Sequence, residues 1–107
     1  MNRFISPALA IALAAMTSPA VAGGPTKALP GGQLFEIHCS GCHSNGGNMV
    51  NPAKTLQKMA REANGVKTAQ DIVRKIRNPG KGMTRFTKED LSDRDAKAIA
   101  EYVLVTF

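Results

Sequence analysis

The segment HCSGCHSNGG, residues 38–47, restricts the chain more than any other. It sets Cys39 and Cys42 three positions apart, with His43 directly behind the second cysteine and His38 directly ahead of the first. Three chemistries use cysteines at this spacing. A thioredoxin-like redox pair follows a strand and opens a helix beside a parallel sheet, and this chain has too little strand character to build one. A structural zinc site needs four N or S ligands. The available set, His38, Cys39, Cys42 and His43, lies within six residues, where neighbouring side chains of one short helix splay apart. The third chemistry is covalent haem attachment, for which CxxCH is the signature. Two intervening residues let both sulfurs reach the two vinyl groups along one porphyrin edge as thioethers. The next residue, His43, can then turn its imidazole to the iron.

The start of the sequence bears on the same choice. Met1, Asn2 and Arg3 precede an apolar run, FISPALAIALAAM, that is too short to cross a bilayer. A polar break at 17–19 and the small-x-small pattern Ala20-Val21-Ala22 follow, so an export signal over 1–22 is expected, cut after Ala22. An extended Gly- and Pro-rich lead-in is expected over 23–30, and one domain over 31–107. Export makes a disulfide the ordinary alternative for two cysteines, but a Cys39–Cys42 bridge would close a tiny loop and stabilise little. Cleavage leaves 85 residues, few for a self-sufficient core. A large, flat, apolar group fixed between helices would supply the missing burial.

Periodicity predicts about four short helices, no strand and no repeat, an all-α chain. QLFEIHCSGC reads as an amphipathic helix running into the cysteine motif, and 44–53 as a loop punctuated by Asn-Gly-Gly and Asn-Pro. Residues 55–63 place Leu56, Met59, Ala60 and Ala63 at helical spacing. Thr68 with Asp71, and Ser92 with Asp95, look like capping boxes for helices over 69–77 and about 93–106. The last carries a stripe of Ala96, Ile99, Ala100, Val103 and Phe107.

With His43 on one face of the iron, the other face separates electron transfer from ligand chemistry. Met59 lies in an apolar stripe and reads as a core gap-filler. His38 adjoins an attachment cysteine and reads as a surface or packing residue. Met49 follows His43 by only six positions, close to the proximal side. Met83 lies forty residues beyond His43, in the loop NPGKGMTRFTK, with Gly80 and Gly82 ahead of it and Phe86 behind. Glycines there allow backbone to approach a flat cofactor, so Met83 is the candidate sixth ligand, and its soft thioether favours ferrous iron.

CSGCH at 39–43, the following SNGGNMV, KTL at 54–56, GM at 82–83 with Phe86, and AEYV at 100–103 together resemble cytochrome c6. The resemblance covers nearly all of 31–107. It implies a class I cytochrome c fold of about four short helices around one haem c, its first and last helices crossing where Gly31 and Phe35 meet Tyr102. It implies thioether anchors at Cys39 and Cys42 and axial iron ligands at His43 and Met83. The implied role is a soluble, monomeric carrier from the cytochrome b6f complex to photosystem I in the thylakoid lumen, not an enzyme. The chain departs from the family in having Thr84 and Arg85, where many relatives have proline directly after the methionine, and Lys75 and Arg77, where glutamine is typical nearby.

The formal charge is +6, or +5 without the export signal, which suits acidic partner surfaces. Scattered basic residues and only four aromatics after residue 22 argue against nucleic acid, and no run after residue 22 is long enough for a membrane helix. Lys54, Lys58, Lys75, Arg77, Lys81 and Arg85 are candidates for a basic docking rim. Two other readings stay open: a donor to a terminal oxidase or another periplasmic acceptor, and a haem sensor or small peroxidase-like enzyme with a labile Met83.

Overall fold

The computed structural model describes residues 28–107 and, ahead of them, Ala14 alone. Apart from Ala14, the expected export signal therefore lies outside the described residues, as does 23–27 of the lead-in. Five helices follow in order: α1 (Gly31–His38), α2 (Ser40–His43), α3 (Lys58–Ala63), α4 (Ala69–Arg77) and α5 (Asp93–Thr106), with a 3-10 turn at Ser44–Gly46. No strand occurs among the described residues.

The helix expected to carry the whole cysteine motif is two helices. Cys39 interrupts it with φ −122° and ψ −33°, although its own N–H still bonds to the Phe35 carbonyl at 2.8 Å. Ser40 donates its hydroxyl to the Glu36 carbonyl one turn back, at 2.7 Å, a side-chain contact that competes with the backbone ladder and bends a helix. The cysteines thus flank a bend, with Cys42 and His43 on a separate short turn.

α4 matches its expected span, and its start is a complete capping box: Thr68 accepts from the Asp71 N–H while Asp71 accepts from the Thr68 N–H. α5 begins with half of one, Ser92 accepting from the Asp95 N–H. α4 buries Ile72 and Ile76, one turn apart, against Ala96, Ile99, Ala100 and Val103 of α5. This is the apolar stripe that period 3.6 implies.

α1 lies across α5. Phe35, 2% exposed, has its ring centroid 5.4 Å from that of Tyr102 and 5.5 Å from that of Phe107. The approach is close enough that a Cβ on Gly31 would overlap the Ala98 carbonyl. Gly31 is therefore required by contact between two backbones, as the resemblance implied.

Two outcomes follow for thermal unfolding. Gly31→Ala forces α1 off α5 and destabilises the protein by roughly 1–3 kcal/mol, a drop in Tm of about 4–8 °C for each kcal/mol in a domain of this size. At α4, hydrogen bonds from the Lys67 and Thr68 N–H groups hold the Asp71 carboxyl below its usual range. Its stabilisation is complete above the unfolded value, about 4, and is lost as pH falls through the folded one. Asp71→Ala accordingly lowers Tm at pH 7, and the gap from wild type closes in acid.

Candidate functional site

A cavity of about 330 Å³ opens between the cysteine turn and the loop after α4, a size within the range of ligand pockets. Cys39, Cys42 and His43 line one part of it, Ile72 and Ile76 of α4 another, and Met83 and Phe86 a third. All four residues singled out from the sequence, at 39, 42, 43 and 83, thus face one space.

His43 is oriented by its own turn. Its Nδ1 lies 2.6 Å from the Gly47 carbonyl oxygen. A carbonyl only accepts, so Nδ1 carries the proton and Nε2 keeps its lone pair free for a metal. The 3-10 turn sets the position of that carbonyl. Asn45 sits in the left-handed region at φ 53° and Gly46 at φ 76°, and a Cβ on Gly46 would overlap the Phe107 ring. Asn48 continues the brace, accepting from the Val50 and Asn51 N–H groups and donating to the Lys54 carbonyl. The stretch expected to be a simple loop is therefore a hydrogen-bonded support for His43.

The two sulfurs are free cysteines, not a disulfide. Burial pushes the Cys39 thiol up to about 11, whereas redox-active thiols have lowered values that favour the thiolate. Among the described residues no group of three or more His, Cys, Asp or Glu side chains could hold a metal ion. Thiol exchange and a protein-only zinc site both lose support.

Met83 is half-buried in a loop closed at its base by the Phe86 N–H on the Ile76 carbonyl, 3.2 Å. Gly82 is needed there: its φ is 93°, and a Cβ would overlap Val50. No protein atom lies within 4 Å of where a Cβ on Gly80 would stand. Met49 lies 75% exposed. His38 packs edge-on to Phe86, ring centroids 6.0 Å apart, at the margin of the cavity.

Met59 is not a core residue; it is 86% exposed. α3 begins only at Lys58, which leaves Leu56 outside it, and the helix turns Arg61 inward. Two residues along a helix is roughly 200° of rotation, so burying Arg61 exposes Met59. Arg61, 5% exposed, donates to the carbonyls of Leu56 at 2.7 Å and Phe107 at 3.3 Å, with a long 3.5 Å contact to Val66. It also lines the cavity. Periodicity missed it because an arginine counts as a surface residue.

The basic rim divides as well. Lys54, Lys75 and Lys81 are exposed and line the cavity mouth, while Arg85 and Lys58 are exposed without lining it. Arg77 does not belong with them: its side chain is 16% exposed and is bonded to the backbone after the Met83 loop.

Short helices, crossed at their ends and enclosing a cavity with a CxxCH turn on one wall, define a class I c-type cytochrome. The family model described as cytochrome c oxidase, cbb3-type, subunit III matches residues 26–103. Cytochrome c6 of Leptolyngbya boryana is 44% identical over 77 residues, 72% of this chain and 89% of that protein. Among solved structures, cytochrome c6C from Synechococcus sp. PCC 7002 is 37% identical with a TM-score of 0.66, covering 70% of this chain and 90% of its own. The outer membrane cytochrome OmcF from Geobacter sulfurreducens is 51% identical with a TM-score of 0.70, covering 72% of this chain and 98% of its own. The chain belongs to the c-type cytochromes, in the cytochrome c6 family, and its cofactor is haem c. The cavity fits that group: its walls are largely apolar, both sulfurs stand at one side, and one imidazole has its Nε2 free.

The two α3 residues give opposite outcomes. Arg61→Met removes the donor from the half-buried Leu56 and Phe107 oxygens and destabilises the protein by about 1–3 kcal/mol. Met59→Gln stays within about 0.5 kcal/mol of wild type. Chemical denaturation of both holoproteins checks the contrast.

Proposed function

We propose that the protein is a monohaem electron carrier and converts no substrate of its own. In this reading Cys39 and Cys42 hold haem c through two thioethers, and His43 and Met83 are its axial ligands. The observation that carries it is the convergence of these four side chains on one cavity, with the His43 ring turned by the Gly47 carbonyl. When bound, the haem supplies reversible one-electron chemistry. The residues around it have three tasks. His43 is held in one tautomer, the walls of Ile72, Ile76 and Phe86 exclude water, and Met83 occupies the face where a diatomic ligand or peroxide would otherwise bind.

Docking follows from the mouth of the cavity. Lys54, Lys75 and Lys81 line it and are exposed. Such a rim attracts an acidic partner surface weakly and in a salt-sensitive way. The export reading of 1–22 suits a thylakoid lumen or a periplasm; no helix among the described residues is long and apolar enough to cross a membrane.

The cytochrome c6 relatives support transfer from the cytochrome b6f complex to photosystem I. A second reading draws on the 51% identity to OmcF, whose name places it at an outer membrane. It makes the chain a donor to a terminal oxidase or another periplasmic acceptor outside photosynthesis. The reduced protein is to be mixed with isolated photosystem I and, separately, with a terminal oxidase. Each is run from about 0.01 M to 0.15 M ionic strength, over which screening shortens from about 30 to 8 Å. Oxidation by photosystem I that slows several-fold across this range supports the first route. Turnover by the oxidase alone supports the second, and a rate indifferent to salt removes the basic rim.

A further inference from the structure

Arg77 sits at the last turn of α4, immediately before the loop that carries Met83. Its Nη1 faces three backbone carbonyls on the far side of that loop: Phe86 at 3.2 Å, Thr87 at 2.9 Å and Leu91 at 2.8 Å. Its Nη2 bonds Asp93 at 2.9 Å, and Lys88 shares that carboxylate at 3.3 Å. Nε is buried without a protein partner, so the guanidinium is held through its Nη atoms alone. Together with the Phe86 N–H on the Ile76 carbonyl, these contacts fasten the return limb of the loop to the end of α4. Between the fastened ends run only Asn78 to Arg85, with Lys81, Thr84 and Arg85 exposed.

We propose that Arg77 is a positioning residue for the sixth ligand: by gripping the carbonyls after Met83 it keeps the loop closed and the thioether on the iron. The inference rests on the reading of Met83 as axial ligand and deepens it, because the contacts at the two ends of the loop set how far Met83 can move. Asp93 orients the guanidinium, whereas the carbonyl contacts restrain the loop.

The test uses the full ferric holoprotein, with cyanide as the competing ligand. The wild type should show the near-infrared methionine-to-iron band, lost in Met83→Ala. Arg77→Gln should keep its haem yet be displaced by cyanide roughly 10- to 100-fold faster, the factor that one charge-assisted hydrogen bond represents. It should also lose the band at lower pH. Arg77→Lys, which retains a donor, should fall between, and Asp93→Ala should stay near wild type. Cyanide rates and band pH in Arg77→Gln equal to wild type, even with a lowered Tm, would show a merely structural arginine and overturn the proposal. So would an equal effect from Asp93→Ala. If Arg77→Gln yields no folded holoprotein, Arg77→Lys decides: faster displacement supports the role, and the wild-type rate overturns it. A wild type without the band, or a band that survives Met83→Ala, instead removes the ligand reading on which the inference stands.

Discussion

The tilted packing of Phe35 against Tyr102 and Phe107 is the contact on which the rest depends. It fixes α1 across α5, and the chain leaves α1 directly into the bend at Cys39. The direction of that exit decides where the two sulfurs and His43 point. Phe107 serves twice, since its ring also lies against Gly46 and so limits the turn whose next carbonyl holds the His43 ring. Aromatic packing in the helical core is thereby transmitted, over a few residues, to the tautomer of a single imidazole.

Away from that core the fold relies on polar contacts. The buried apolar residues come from α1, α4, α5 and Leu91, which leaves the connections around the cavity without a core of their own. Two inward-turned arginines take over there. Arg61 joins the segment before α3, and the carbonyl of Phe107, to its guanidinium, and Arg77 joins α4 to the chain beyond Met83. An arginine suits this use because its planar fork bonds several carbonyls at once and keeps its charge. A small domain that leaves its centre for a cofactor has few other means of ordering its loops.

The parts of this arrangement that a sequence expresses locally were legible. α4 and α5 fall where period 3.6 and the residues Thr68, Asp71 and Ser92 put them, because capping and apolar spacing act within one or two turns. Cys39, Cys42, His43 and Met83 stood out because their residue types are chemically specific, and the cavity does gather them. Periodicity failed where the deciding contact is distant or polar. Met59 fits an apolar stripe, but carbonyls from three other segments choose the face of α3, and they choose Arg61. Arg77 looked like a docking charge because its partners, up to sixteen positions ahead, have no pattern in the sequence. The bend at Cys39 depends on the Ser40 hydroxyl, a contact that hydrophobic patterning does not register.

The proposed place of Met83 as sixth ligand, opposite His43, separates a carrier from a haem that binds ligands. Proton NMR of the ferrous protein tests this most directly, since a methionine held against a haem has its methyl resonance shifted far upfield by the ring current. One such resonance is expected in the wild type, retained in Met49→Ala and Met59→Ala and lost in Met83→Ala. No upfield methyl, or one that disappears with Met49 instead, would contradict the account.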